Sequence, residues 1–173
     1  MNWHFECQYN DSHFAIHATA PMKLTAFADF GLRTLLVLAA GDRPSWSSAE
    51  LAAHLQVSRD HLIKVIQRLA AGGYVQTTRG AGGGVSLARD PSAIRLGQVL
   101  AWMEQEQALV ECFRDDGGNC RLHAMCALRA RLAGAERAFY AELDRDTLAD
   151  CLNPALRGFA RGAGQPVTPA RAR

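Results

Sequence analysis

The stretch "SSAELAAHLQVSRDHLIKVIQRLAAGGYVQTTRGAGGGVSLARDP", residues 47–91, constrains the fold more than any other part of the chain. Ser47 and Glu50 have the spacing of a capping box, which satisfies two otherwise orphaned amides and starts a helix. Leu51, Ala52 and Leu55 supply its buried face, and Gln56-Val57 form a short turn. Ser58 then caps a second helix that runs to about Ala71. Leu62, Ile66 and Leu69 fall at i, i+4 and i+7 with Val65 beside them, so that stripe faces inward. Arg59, Asp60, His61, Lys64, Gln67 and Arg68 take the opposite side. Gly72-Gly73 end the helix, and the pattern changes: "YVQTT" and "VSLAR" read as short strands around the glycine-rich "RGAGGG", a hairpin whose tip carries Arg79. Two tandem helices, a tight turn and a hairpin predict a winged helix-turn-helix.

The rest of the chain fits a mainly α protein. At 173 residues, one main domain with an appendage is expected, and 49% hydrophobic residues are enough to bury a core. Leu24 to Ala40 is helical by its apolar pattern (Phe27, Phe30, Leu35, Leu36, Leu38) and stops at Gly41. Ile94 to Glu104 reads as a fourth helix. A long helix is predicted from about Cys126 to Leu152, where Leu128, Leu132, Ala135, Phe139 and Leu143 make one narrow stripe. Such a stripe on a long helix favours packing against a partner helix, hence a homodimer. The expected organisation is therefore residues 22–95 for DNA binding and 96–153 for a cysteine loop and dimerisation helix. Residues 1–21 are expected to be a disordered extension or to follow a start assigned too far upstream, and residues 154–173 to be a disordered tail. His4, Cys7, His13 and His17 in the first segment are potential metal ligands.

Charge sorts the function classes. Residues 22–95 hold nine Lys/Arg against five Asp/Glu, whereas 96–153 hold six against ten. A basic first half suggests a polyanion partner. On a recognition helix, Ser58, Arg59, His61 and Lys64 are placed to contact double-stranded DNA, and Arg79 on the wing reaches phosphate or a minor groove. Arg59 is the best base reader, because its fork bonds guanine bidentately. Paired winged helices would read two halves of a palindromic operator. An enzyme is disfavoured: no catalytic dyad or phosphate loop is evident, and "GAGGG" follows a strand but opens no helix. No apolar run reaches the roughly 18 residues of a membrane span, and the first 21 residues do not resemble a secretory signal, so a cytoplasmic protein is expected.

"ECFRDDGGNCRLHAMC", residues 111–126, places Cys112, Cys120 and Cys126 on one glycine-softened loop. Reduced cytosolic thiols and an odd total of five cysteines favour metal or redox chemistry over disulfides. Soft thiolates suit an iron–sulfur cluster. They also suit Zn²⁺ with His123 as a fourth ligand. On a straight helix Cys151 lies about 25 residues beyond the loop, roughly 37 Å away, and Cys7 sits in the leader. A four-iron cluster therefore lacks a fourth cysteine.

"MKLTAFADFGLRTLLVLA", "SSAELAAHLQVSRDHLIKVIQRLAAGGYV", "RGAGGGVSLARDP", "IRLGQVL" and the later cysteines together resemble the IscR/NsrR superfamily of bacterial winged-helix transcription regulators. Within it they are most similar to the nitric-oxide-sensing NsrR type. The resemblance covers about Met22 to Leu152. It implies a homodimeric repressor with an iron–sulfur cluster, whose reaction with nitric oxide abolishes DNA binding. It also implies a fourth ligand from the first helix of the other subunit, at the position that Asp29 matches here. A carboxylate is a hard ligand on soft iron and exchanges readily. IscR-type members, which report iron–sulfur or redox status, hold [2Fe–2S] with a histidine three residues after the last cysteine. That position is Arg129, so [4Fe–4S] is favoured over [2Fe–2S], with His123 as the alternative to Asp29. Cys120 stands two residues further from Cys112 than the family's common five-residue gap, which leaves cluster type open.

Overall fold

A computed structural model describes residues 24–80 and 83–162. Among them the order is α1 (Ala26–Ala40), α2 (Ser48–Leu55), α3 (Arg59–Ala71), β1 (Val75–Thr78), β2 (Gly84–Leu87), α4 (Leu96–Glu104), α5 (Ala127–Leu143) and α6 (Pro154–Arg161). The leader, the wing-tip residues 81–82 and residues 163–173 lie outside the described residues, as do His4, Cys7, His13 and His17.

The winged helix-turn-helix is as expected. Ser47 accepts from the Glu50 amide at 3.1 Å, and Glu50 accepts from the Ser47 amide at 2.9 Å, closing the capping box of α2. Gln56 at φ 54° makes the left-handed turn that re-aims the chain. Ser58 caps α3 through the His61 amide. Leu62, Val65, Ile66 and Leu69 of α3 are all buried, each contributing on the order of 1.5–3 kcal/mol. β1 and β2 pair antiparallel with Val75 opposite Leu87 and Thr78 opposite Gly84. Trp46 extends the wing by exchanging both backbone bonds with Val85, at 2.9 and 2.7 Å.

One continuous apolar core joins α1, α2, α3, the wing and α4 to Leu148 far along the chain. Leu148 explains two departures from the expected elements. Its amide donates to the Ile94 carbonyl at 2.8 Å, in a short bridge that holds Ile94 extended, so α4 begins at Leu96 and not at Ile94. To bury Leu148 completely, the chain must turn back, and α5 ends at Leu143, not Leu152. Asp144 fixes that end: its carboxylate accepts from the Gln98 amide at 2.8 Å in the first turn of α4. Arg95 donates to the carbonyls of Asp144 and Arg145, and Thr147 donates twice to Asp150, so the turn is fully bonded.

The expectation of disorder from residue 154 is corrected for its first eight residues. Asn153 caps α6 by accepting from the Leu156 amide at 2.9 Å, and Pro154 sits in the first turn, where its missing N–H is no loss. The helix lies on α1 and buries Ala160, and its Phe159 ring packs 4.3 Å from the His54 ring of α2. The apolar faces of Leu156, Phe159 and Ala160 outweigh the disorder suggested by the composition that follows.

Candidate nucleic-acid interface and cysteine loop

The start of α3 is exposed, as a groove-reading helix requires. Ser58, Arg59 and Lys64 are exposed, and Arg79 is exposed at the end of β1. The Ser58 hydroxyl is already engaged as the cap of α3. His61 departs from the expectation of a ring facing DNA. Its ring packs edge-on against Phe27 and Phe30 of α1, with centroids 6.0 and 5.4 Å away. Its Nε2 is buried without a hydrogen-bond partner. The side chain therefore braces α3 against α1.

The cysteine loop is held by short-range bonds. Cys112 lies in a single helical turn, Glu111–Phe113, and Cys126 immediately precedes α5. Gly117 and Gly118 adopt φ of 74° and 58°, values that side chains disfavour. Asp116 accepts from the Gly118 amide and pairs with Arg114 at 2.7 Å, while Glu111 accepts from the Asn119 amide at 2.9 Å. Cys112, Cys120 and Cys126 are free thiols, each half-buried.

In donor chemistry this loop fits an iron–sulfur cluster, since three free soft thiols share one segment. In the single chain they do not converge: among the described residues no three His, Cys, Asp or Glu side chains form a metal-sized group. Cys126, His123 and Arg129 instead line an open cleft of about 1080 Å³ between α4, the loop and α5, together with Glu104 and Tyr140. Burial, then the carboxylates of Glu136 and Glu104, push the Tyr140 hydroxyl above its ordinary pKa.

Two candidate ligands sit elsewhere. Asp29, in the first turn of α1, is paired with Arg33 at 2.9 and 2.7 Å, both side chains largely solvated. Cys151 lies in the turn Ala149–Cys151 beside Pro91–Ala93. The straight-helix distance that set it apart no longer applies, because α5 ends early. Burial first, and then Asp146 and Asp150, push its thiol above the ordinary value, against the thiolate a metal needs.

From its position in the sequence, Arg68 is expected on the solvated side of α3. It is instead folded onto α4, with its guanidinium 4.2 Å over the Trp102 ring. Glu104 is a second residue with a partner that the sequence does not signal. Its carboxylate, nine-tenths buried, accepts from the amide and hydroxyl of Thr25 at 2.8 and 3.0 Å, holding the start of α1. An isolated Arg or Glu on a helix carries no periodic signal of such a partner.

Comparison with known proteins matches this architecture. The family model described as "Rrf2: Iron-dependent Transcriptional regulator" matches residues 24–154, ending where α6 begins. The HTH-type transcriptional regulator NsrR of Bacillus subtilis (strain 168) is 42% identical over 131 residues, 75% of this chain and 89% of that protein. NsrR of Geobacillus kaustophilus (strain HTA426) is 40% identical over 132 residues, 76% of this chain and 90% of that one. Among solved structures, T. potens IscR shares the fold with a TM-score of 0.56 at 23% identity, covering 75% of this chain and 85% of that one. CymR (YrzC), the global cysteine regulator of B. subtilis, gives 0.57 at 26% identity, covering 75% and 95%.

Proposed function

Because this chain belongs to the Rrf2 family of iron-dependent transcriptional regulators, we propose that it is a homodimeric repressor that senses nitric oxide through an iron–sulfur cluster. Family membership makes it a DNA-binding transcriptional regulator and not an enzyme. The finer reading rests on one observation above others. Three free thiols occupy a single loop in a chain 42% identical to a regulator named NsrR.

Cys112, Cys120 and Cys126 would hold the cluster, with Asp29 of the partner subunit as the fourth ligand. A bound cluster, [4Fe–4S] in preference to [2Fe–2S], supplies iron that reacts with nitric oxide. Asp29 must first leave Arg33, and that costs little, since an exposed pair of this kind is worth about 0–1 kcal/mol. Once across the interface, Asp29 ties α1 of one subunit to the loop of the other and sets the spacing of the two α3 helices. Without that tie the spacing would be released, and operator affinity would fall. Arg59 reads base edges, Ser58 and Lys64 meet the backbone, Arg79 reaches from the wing, and His61 holds α3 from behind.

A second copy is also suited to cover apolar surface. Leu122, Met125 and Leu128, at the end of the loop and the start of α5, are 59%, 78% and 60% exposed. Among the described residues no helix is long and apolar enough to cross a membrane. A cytoplasmic regulator, with reduced thiols and access to DNA, completes the proposal.

Protein purified without oxygen should be brown, carry iron and acid-labile sulfide, and release its operator on exposure to nitric oxide. A colourless protein with stoichiometric zinc would replace this reading with a zinc-stapled module. A brown protein indifferent to nitric oxide would point to the IscR-like reading of iron–sulfur or redox status.

A further inference from the structure

We propose that the last turn of α4 is the connector between the cysteine loop and the recognition helix, and that Arg68 is the positioning residue that makes the connection. This rests on the cluster-dependent reading above and names the element by which that site would reach DNA.

Arg68 lies in the last turn of α3, with Trp102, Gln105 and Glu106 at the end of α4. The Arg68 Nε and Nη2 donate to the Trp102 carbonyl at 3.2 and 2.8 Å. A carbonyl in a helix's last turn has no partner within its helix, and here the arginine fork supplies one. Nη2 also donates to the Gln105 Oε1 at 3.1 Å, and Nη1 lies 3.7 Å from the Glu106 carboxylate. In return the Trp102 Nε1 donates to the Arg68 carbonyl at 2.8 Å. The guanidinium also covers the indole ring, so bonds run both ways and the contact is stacked.

The surroundings leave little slack. A Cβ on Gly72, at the end of α3, would stand 2.6 Å from the Trp102 Nε1 and 2.7 Å from the Tyr74 ring, so Gly72 is what lets the indole approach. Glu104, in the same turn of α4, holds the start of α1 through Thr25. One turn of α4 thus grips α3 and α1 together. Six residues after Glu106 the chain reaches Cys112. Gln105 and Glu106 are exposed where the loop departs, so moving the loop displaces two of the Arg68 partners directly. The structure holds Arg68 as a bonded fork across the helix ends; under this proposal a displaced loop releases the fork and α3 shifts with it.

The test uses the full-length dimer, purified without oxygen, and a DNA duplex selected by the wild-type protein from a random-sequence pool. Affinity is measured with the cluster loaded and after its removal, for wild type, Arg68→Met, and Gln105→Ala combined with Glu106→Ala. For coupling of ordinary size, loading strengthens wild-type binding by about 5–150-fold. In Arg68→Met that gain should fall toward one, with cluster content and cluster-free affinity unchanged. The double variant alters exposed side chains only and keeps the test open if Arg68→Met fails to fold; its gain should shrink in the same direction. Retention of the full gain by these variants overturns the proposal. So does an equal loss of loaded and cluster-free binding, which would mean that Arg68 merely shapes α3. A wild-type protein with no gain on loading indicts the cluster reading itself, and the proposal falls with it.

Discussion

Arg59 and Lys64 are both exposed on α3, yet their chemistry separates their roles. Arginine presents a planar fork that matches the two acceptors of guanine, whereas lysine is a point charge suited to phosphate. Arg59→Ala should cost about 1–3 kcal/mol of operator binding and relax specificity at one base pair. Lys64→Ala should weaken binding to all duplexes alike and reduce the salt slope by about one. Binding titrations on operator and scrambled DNA at several salt concentrations separate the two. A uniform loss for Arg59→Ala would remove it from the bases. The two neighbours in this region that do not face solvent work differently. His61 packs against Phe27 and Phe30, and Arg68 is folded onto Trp102. Substituting His61 should act through the position of α3, and substituting Arg68 through the response of α3 to the loop, neither through a lost DNA contact.

α6 carries a prediction of its own, because it encloses His54 between Trp46 and Phe159, with ring centroids 5.2 and 4.3 Å away. The His54 Nε2 is buried without a partner. Burial first, and then the Arg43 charge, hold this imidazole below its ordinary value of 6.5. The unfolded chain therefore takes up the His54 proton near pH 6.5, and the folded chain does so only at lower pH. Between those two values the unfolded state binds more protons, so stability is complete above about pH 6.5 and declines as the pH falls toward the folded value. Denaturant midpoints between about pH 8 and pH 5 should slope downward on the acid side. That slope should flatten in His54→Phe and in a chain ending before Pro154. Equal slopes in all three proteins would place the titration elsewhere. α6 also marks the limit of what the sequence reveals about this fold. The caps at Ser47 and Ser58, the stripe of Leu62, Ile66 and Leu69, and the glycine-bracketed wing were legible because each is a local pattern repeated by geometry. The end of α5 was not. It depends on Leu148 reaching a core built some fifty residues earlier and on Asp144 capping a different helix. The three thiols were legible as a donor set, but their convergence is not a property of one chain, and Asp29 appears here only in its pair with Arg33.

Taken as a whole, the molecule is unevenly finished. Around α1, α2, α3 and α4 the apolar side chains are covered, but none of the 17 residues of α5 is buried. The apolar stripe along that helix divides in two. Phe139 and Leu143 pack against the chain's own core, whereas Leu128 at the other end is 60% exposed, next to Met125 and Leu122. That free half adjoins the cysteine loop, and under the proposed function a second copy seated there is the one that supplies Asp29 to the thiols. Dimerisation and ligand supply thus become one event under the proposed function. A winged helix alone contacts one half-site, and two must sit about 34–36 Å apart to read a palindrome. Leu128→Glu places a charge on the proposed interface while disturbing little in the folded monomer, where the side chain is already mostly in water. Native mass spectrometry should find this variant monomeric and normally folded by circular dichroism. It should also carry less iron and bind the operator only at the level of unrelated DNA. If Leu128→Glu remains a dimer with full iron and operator affinity, the free half of α5 is not the interface. The partner's Asp29 would then have to approach from another side.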